Sequence, residues 1–145
     1  MVAREPCESV NPKTSMTLSQ MKDFIRNHFE EFVNRQNLAV ADVNFAPGLL
    51  DHGADVPHGT PPGRAGAKQY VAGAYQRFPD IHVEIEDLIA EDDRVVVRNH
   101  WTGTDATSGQ RMEFSGIVIW RIANGQIHER WAYLEPPRPL ASGRR

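Results

Sequence analysis

The chain has 145 residues, with 16 Lys and Arg against 19 Asp and Glu, for a formal net charge of −3. That length fits one domain with a sizeable core, and the acidic balance argues against a nucleic-acid module, which carries a basic face. No apolar run approaches the roughly 20 residues of a membrane-spanning helix, and the single Cys7 excludes an intrachain disulfide and a cysteine-based zinc site.

Residues 1–15 show no apolar period and contain two prolines, so they read as a loose leader. They lack the apolar segment of a secretory signal, which makes a cytoplasmic protein the expectation. Met16 is an alternative start. A domain is expected over 16–136, and 137–145 reads as a flexible tail because Pro136-Pro137 cannot continue a strand ladder.

Ser15 or Thr17 can cap a helix over 18–36, where Phe24, Ile25, Phe29, Phe32 and Val33 recur at helical spacing. A short second helix is expected over 38–45, stopping at Pro47-Gly48. Leu49 and Leu50 suggest a short strand ending at Asp51-His52-Gly53. The Gly- and Pro-rich stretch 53–62 must be loop. A third helix fits 63–77, with Ala67, Tyr70, Val71, Ala74 and Phe78 as its stripe and Pro79 as its stop.

After Asp80 the period changes to two. Ile81, Val83, Ile85, Leu88 and Ile89 mark one strand, with a turn at Asp92-Asp93. Further strands follow over 95–104, 111–122 and 126–135, the last two joined by the hairpin signal Asn124-Gly125. Helices first and a strand meander after them argue for an α+β fold, with the helices on one face of a curved sheet.

Strict alternation sorts the side chains. Ile127, Glu129, Trp131, Tyr133 and Glu135 share one face of the last strand; His128, Arg130, Ala132 and Leu134 share the other. Phe114, Val118 and Trp120 oppose Ser115, Ile117 and Ile119. Arg98, His100 and Thr102 oppose Val97, Asn99 and Trp101. The pattern does not say which face is inside.

The face with Trp131, Tyr133 and Glu135 has a pocket's composition: flat aromatic walls and one carboxylate. Such a carboxylate loses solvation and can carry protons; the alternative is a solvated strand end before Pro136. His52 is a second acid/base candidate or an exposed loop histidine. His100, on an internal strand beside Trp101, needs a partner or a cavity. His58 reads as a plain loop residue, and His28, His82 and His128 as surface residues. A metal set of His52, His58 and His100 with Asp51 or Asp55 lacks any short-range ligand motif, so no metal is expected. There is no phosphate-binding Gly loop, no Gly-x-Ser-x-Gly elbow and no cysteine nucleophile past the leader.

A family likeness rests on several of these segments together. Asp51-His52, Gly63 opening a helix, and Arg77-Phe78-Pro79-Asp80 come first. Asp92-Asp93 before Val95-Val96-Val97-Arg98, then Thr102-Gly103-Thr104, follow. Phe114-Ser115-Gly116 and the run from Arg121 to Trp131 complete the set. In this order they resemble the SnoaL-like polyketide cyclases over about 18–135. The resemblance implies the nuclear-transport-factor-2-like fold: a cone of mainly antiparallel sheet and N-terminal helices enclosing a deep pocket. It further implies ring closure by intramolecular aldol condensation without metal or cofactor, on a small hydrophobic or polyketide-like molecule. The family's acid, usually Asp four positions after the last-strand Trp, falls here on Glu135, one methylene longer. Asp105 stands where a His is common. Homodimers are common among such proteins.

The expectation is therefore a cofactor-independent cyclase or isomerase. Glu135 would take a proton next to a carbonyl. His52 or His100, with Arg98, would stabilise the enolate oxygen. Trp101, Trp131, Tyr133, Phe114 and Tyr75 would form the walls. Two alternatives stay open: a binding or dimerisation module without chemistry, and epoxide opening with Arg98 paired to Glu84, Glu86 or Asp93. An outer sheet face bearing Ile117 and Ile119 calls for burial against a second copy.

Overall fold

The computed structural model describes residues 8–140. Helix α1 (Leu18–Phe29) starts at a reciprocal cap: the Thr17 hydroxyl accepts from the Gln20 N–H at 3.1 Å, and the Thr17 N–H donates to Gln20 Oε1 at 2.9 Å. Met21, Ile25, His28 and Phe29 are buried along it. The helix does not run straight to 36. It widens into a π turn (Glu30–Asn34), where Asn34 bonds both the N–H and the carbonyl of Val83 and so ties the helix to the sheet. A 3₁₀ turn (Leu38–Val40) and α2 (Ala41–Asn44) form the short second helix, which ends before Phe45 rather than at it.

β1 (Phe45–Asp51) is longer than the expected Leu49-Leu50 pair and runs parallel to β5 at the sheet edge. An edge position tolerates Pro47, which has no N–H to give to a ladder. Helix α3 (Gly63–Arg77) matches the expected third helix. Four antiparallel strands then follow: β2 (His82–Glu91), β3 (Arg94–Thr104), β4 (Arg111–Ala123) and β5 (Gln126–Leu134). Asn124 and Gly125 both have positive φ, 49° and 73°, as a two-residue hairpin turn requires. The strand order is β1-β5-β4-β3-β2, a mixed and mainly antiparallel sheet that curves without closing. α1 lies against β2 and β3, and α3 against β1. Their buried faces meet Val95, Val97, Val118, Trp120, Ile122, Ile127 and Ala132 from the sheet. Among the described residues no helix is long and apolar enough to cross a membrane.

Two corrections concern the ends. Residues 11–15 are not loose: the Lys13 and Thr14 carbonyls accept from the Asn124 and Gly125 N–H groups, Thr14 is buried, and Lys13 pairs with Asp92 at 2.8 Å. The tail resumes pairing after its two prolines, as β6 (Arg138–Pro139) adds to the start of β4. Cys7 and residues 141–145 lie outside the described residues.

A third correction decides what faces inward. Across β4 and β5, Ile122 pairs with Ile127 and Arg121 with Glu129, so β5 carries one extra residue at His128. This bulge breaks the alternation. Ile127 therefore shares the buried side with Arg130 and Ala132, not with Glu129, Trp131 and Tyr133.

Candidate active site

The helices and the inner sheet face leave a cavity in two parts. An inner chamber of about 90 Å³ is walled mainly by Phe29, Phe32, Phe45, Trp101 and Trp120. A vestibule of about 620 Å³ opens beside the 57–60 loop and Glu135. Asp55, Tyr70, Ala74, Ile81, Phe114 and Leu134 line both parts, so they mark the junction.

The junction carries charge. Arg130 on β5 points inward, is only 9% exposed, and reaches Asp51 at 2.8 Å and Asp55 at 2.9 Å. The Tyr70 hydroxyl, from α3, donates to Asp55 Oδ2 at 2.6 Å. Local backbone holds the carboxylates in place: the Gly53 N–H donates to Asp51 Oδ1 at 2.9 Å, and His52 and Ala54 continue the β1 pairing by donating to the Arg130 and Ala132 carbonyls. Glycine at position 53 leaves room for the group: a Cβ there would overlap Arg130 Nη1 and Asp55 Oδ1 and would push those side-chain ends aside.

The electrostatics follow from burial and pairing. Burial pushes the Asp55 carboxyl up, but the Arg130 charge and the hydrogen bonds from Arg130 and Tyr70 outweigh it and leave Asp55 below its usual range. Burial likewise opposes the Arg130 cation, and Asp55 and Asp51 more than compensate. Burial first, and the Asp55 charge next, push the Tyr70 phenol up. The site thus presents an ionised carboxylate beside a firmly protonated phenol. Tyr75 is also raised, to about 12, by burial, and its hydroxyl is committed to the Phe32 carbonyl.

His28 is a buried wall of the inner chamber, 1% exposed, and not the surface residue expected. Its Nδ1 lies 3.0 Å from Asn44 Nδ2, and burial followed by the Arg130 charge pulls its pKa down to about 3, so the ring is neutral.

The structure separates the sequence candidates into three places. Trp101, Phe114 and Tyr75 line the inner chamber, with Trp101 and Phe114 stacked at 5.4 Å. Glu135 lines the vestibule with a half-exposed side chain and accepts from the Ser115 N–H at 3.1 Å. The others lie outside the cavity lining. His52 bonds Glu129 at 2.6 Å and stacks on Trp131 at 5.3 Å, and Arg94 covers the same indole. Tyr133 is 67% exposed. Arg98 pairs with Asp87 at 2.6 Å and Glu86 at 3.0 Å in a solvated group. His100 bonds Ser115 at 2.8 Å and faces Glu113 at 3.3 Å. His52, His58 and His100 therefore stand in three separate surroundings, His58 being a vestibule residue.

Arg130, Tyr70, His28 and the carboxylate role of Asp51 and Asp55 escaped the sequence reading. Signals existed for two of them. His28 sits three residues after Ile25 and four before Phe32, squarely on the apolar stripe. Arg130 alternates with Ala132 and Leu134, and a lone arginine on an apolar face needs carboxylates.

Comparison with known proteins agrees with this architecture. A proposed polyketide cyclase from Bacillus cereus ATCC 10987 is similar at 26% identity and a TM-score of 0.71, over 81% of this chain and 75% of that one. IdmH from Streptomyces antibioticus, also a proposed polyketide cyclase, is similar at 26% identity and a TM-score of 0.71, over 80% and 92% of the two chains. AclR, a proposed hydroxylase from Streptomyces galilaeus, shares the fold at 22% identity and a TM-score of 0.71, over 82% and 91%. No protein of curated function matches the sequence. The sequence model of the SnoaL-like polyketide cyclases matches residues 24–136, and the chain belongs to that family.

Proposed function

We propose that this protein is an acid/base enzyme acting on a small, largely apolar carbonyl compound of polyketide type, with Asp55 and Tyr70 as the working pair. The observation that carries this reading is their position. A hydrogen-bonded carboxylate and phenol, anchored by the buried Arg130, stand where the aromatic chamber meets the vestibule.

The Asp55 carboxylate removes a proton from the carbon beside a substrate carbonyl. The C–H electron pair passes into the enolate. Tyr70 turns its hydroxyl from Asp55 to the developing oxyanion, which is where stabilisation counts most. Losing that hydrogen bond makes Asp55 a stronger base as it takes the proton. The enolate carbon then bonds to a second carbonyl carbon of the same molecule, and that oxygen recovers the proton from Asp55. Two proton transfers and one new C–C bond make up the whole reaction; no electrons are gained or lost overall, so it calls for no redox cofactor. Return of the proton to a different carbon gives an isomerase with the same machinery. Glu135 is a second carboxylate on the vestibule, placed to exchange protons with solvent.

The Asp–Arg–Asp–Tyr group also favours a second reading, in which Asp55 activates a water against an epoxide. It supplies the arginine–carboxylate pairing that this chemistry needs and that Arg98 offers only in solvent. We place the expected homodimer on the outer sheet face, where Ile89, Val96, Ile119 and Trp131 lie in register across four strands.

The test compares Asp55→Asn, Tyr70→Phe and Glu135→Gln on oxo-substituted model compounds, following α-proton exchange in deuterated water. General acid–base roles predict a loss of about 10²-fold or more for the first two and a smaller one for Glu135→Gln. Equal exchange by wild type and Asp55→Asn would sink the assignment to Asp55. Turnover of a small cyclic epoxide without any α-proton exchange would favour the second reading.

A further inference from the structure

The inner chamber carries two N–H donors that the proposed chemistry does not use. Trp120 is 4% exposed, and its indole N–H is buried with no hydrogen-bond partner among the described residues. His28 accepts from Asn44 Nδ2 through Nδ1 at 3.0 Å, which leaves its ring hydrogen on Nε2. Both residues line the chamber, and their rings meet edge to face, 5.5 Å between centroids. Their ring neighbours are Phe29, Phe32 and Phe45, which offer no acceptor.

Native interiors rarely leave a buried donor unmatched, so an orphan indole N–H in a cavity wall points to an occupant with a lone pair. We propose that the inner chamber is a subsite for a carbonyl oxygen, held by the Trp120 indole N–H and the Nε2–H of His28. This deepens the reading above and rests on it for the substrate class. His28 stays neutral down to a pH of about 3, so the donor pair keeps its form throughout the physiological range.

Charge and volume narrow the ligand further. Arg130 lies over the Trp120 ring, but its charge is taken up by Asp51 and Asp55, so the nearby charged group is net negative. That disfavours a carboxylate or phosphate and selects a neutral oxygen. At about 90 Å³ the chamber is smaller than the roughly 150 Å³ cavity that admits benzene. It takes a carbonyl with one methyl or methylene neighbour, while any ring stays in the vestibule. The ligand class is therefore a neutral compound that ends in a narrow oxo group, such as a methyl ketone, on a wider body. The carbon beside that carbonyl then falls toward Asp55 and Tyr70 at the junction.

The test uses the full chain labelled with ¹⁵N, titrated with acetophenone and separately with ethylbenzene, its counterpart without the oxygen. The indole N–H signal of Trp120 is assigned by Trp120→Phe, or through space from Phe45 and His28 if that variant does not fold. The expected result is a downfield shift of the Trp120 signal with acetophenone, none with ethylbenzene, and a still Trp131 signal. Trp120→Phe should weaken acetophenone binding about fivefold to tenfold, the worth of one neutral hydrogen bond, and leave ethylbenzene binding unchanged. Absence of acetophenone binding, equal shifts with both probes, or full affinity in Trp120→Phe overturns the subsite. Methyl-proton exchange of acetophenone, read in the same samples, keeps the two proposals apart. A Trp120 shift without wild-type exchange leaves the subsite standing and removes the acid/base reading.

Discussion

Replacing Arg130 by Met should destabilise the protein strongly and reverse the sign of its pH dependence. Arg130 and its two carboxylates are all well buried, so solvent does little to soften the loss. Removing one partner of a buried ion pair costs about 3–5 kcal/mol because the other partner keeps its burial without its counter-charge. For a chain of this length that corresponds to about 10 °C or more in melting temperature. The sign follows from Asp55. In the wild type its folded pKa lies below the unfolded value, so its contribution is present above that value and fades as pH falls through the folded pKa. Without Arg130, burial dominates and the folded pKa rises above the unfolded one. The variant should then lose stability as pH rises through the interval between them. Urea unfolding followed by tryptophan fluorescence, repeated from pH 3 to pH 8 so that it spans the unfolded carboxylate range, measures both effects. Adding Asp51→Asn and Asp55→Asn to Arg130→Met should recover part of the loss. A cost below about 1 kcal/mol, typical of an exposed pair, together with an unchanged pH slope, would refute the view of this group as a buried ionic anchor.

Further outcomes can be checked separately. Activity that needs ionised Asp55 should stay flat through neutral pH and fall only below the usual carboxylate range; Tyr70→Phe removes one cause of the depression and should move that acid limb upward. Thr17→Ala breaks the reciprocal cap of α1 and should cost about 1 kcal/mol in denaturant unfolding, with activity retained. Gly53→Ala should lower both stability and activity, since its methyl group displaces Arg130 or Asp55; a variant with wild-type melting and rate contradicts the close packing described. Ile119→Lys puts a charge in the outer apolar row, and sedimentation equilibrium should show a dimer converted to monomer; a wild-type monomer would dismiss that interface.

Much of the fold was legible because it depends on local chemistry. The α3 boundaries follow from Gly63 and Pro79, and the last hairpin from Asn124-Gly125. Of the two caps the sequence offers for α1, Ser15 and Thr17, the structure uses Thr17 and adds Gln20 as its reciprocal partner. Helices ahead of a strand meander already implied the layered α+β arrangement. Of the aromatic residues expected as walls, Trp101, Phe114 and Tyr75 line the inner chamber.

Of the charged centre, only the place of Arg130 beside Ala132 and Leu134 left a trace in the sequence, and the reason is geometric. Strict alternation put Trp131, Tyr133 and Glu135 in step with the core residue Ile127. One extra residue at His128 shifts the register and hands the inner face to Arg130. A bulge leaves no composition signal, so a period-two count cannot detect it. Asp51 and Asp55 looked like loop residues because loops are polar, yet the chain after β1 folds back along β5 and brings them onto Arg130. The main helices, the four-strand meander and the apolar stripes could be read from neighbours a few residues apart, and the family likeness from the order of motifs along the chain. Which carboxylates share an arginine emerges from the folded chain alone, because the partners of Arg130 lie 79 and 75 residues away along the sequence.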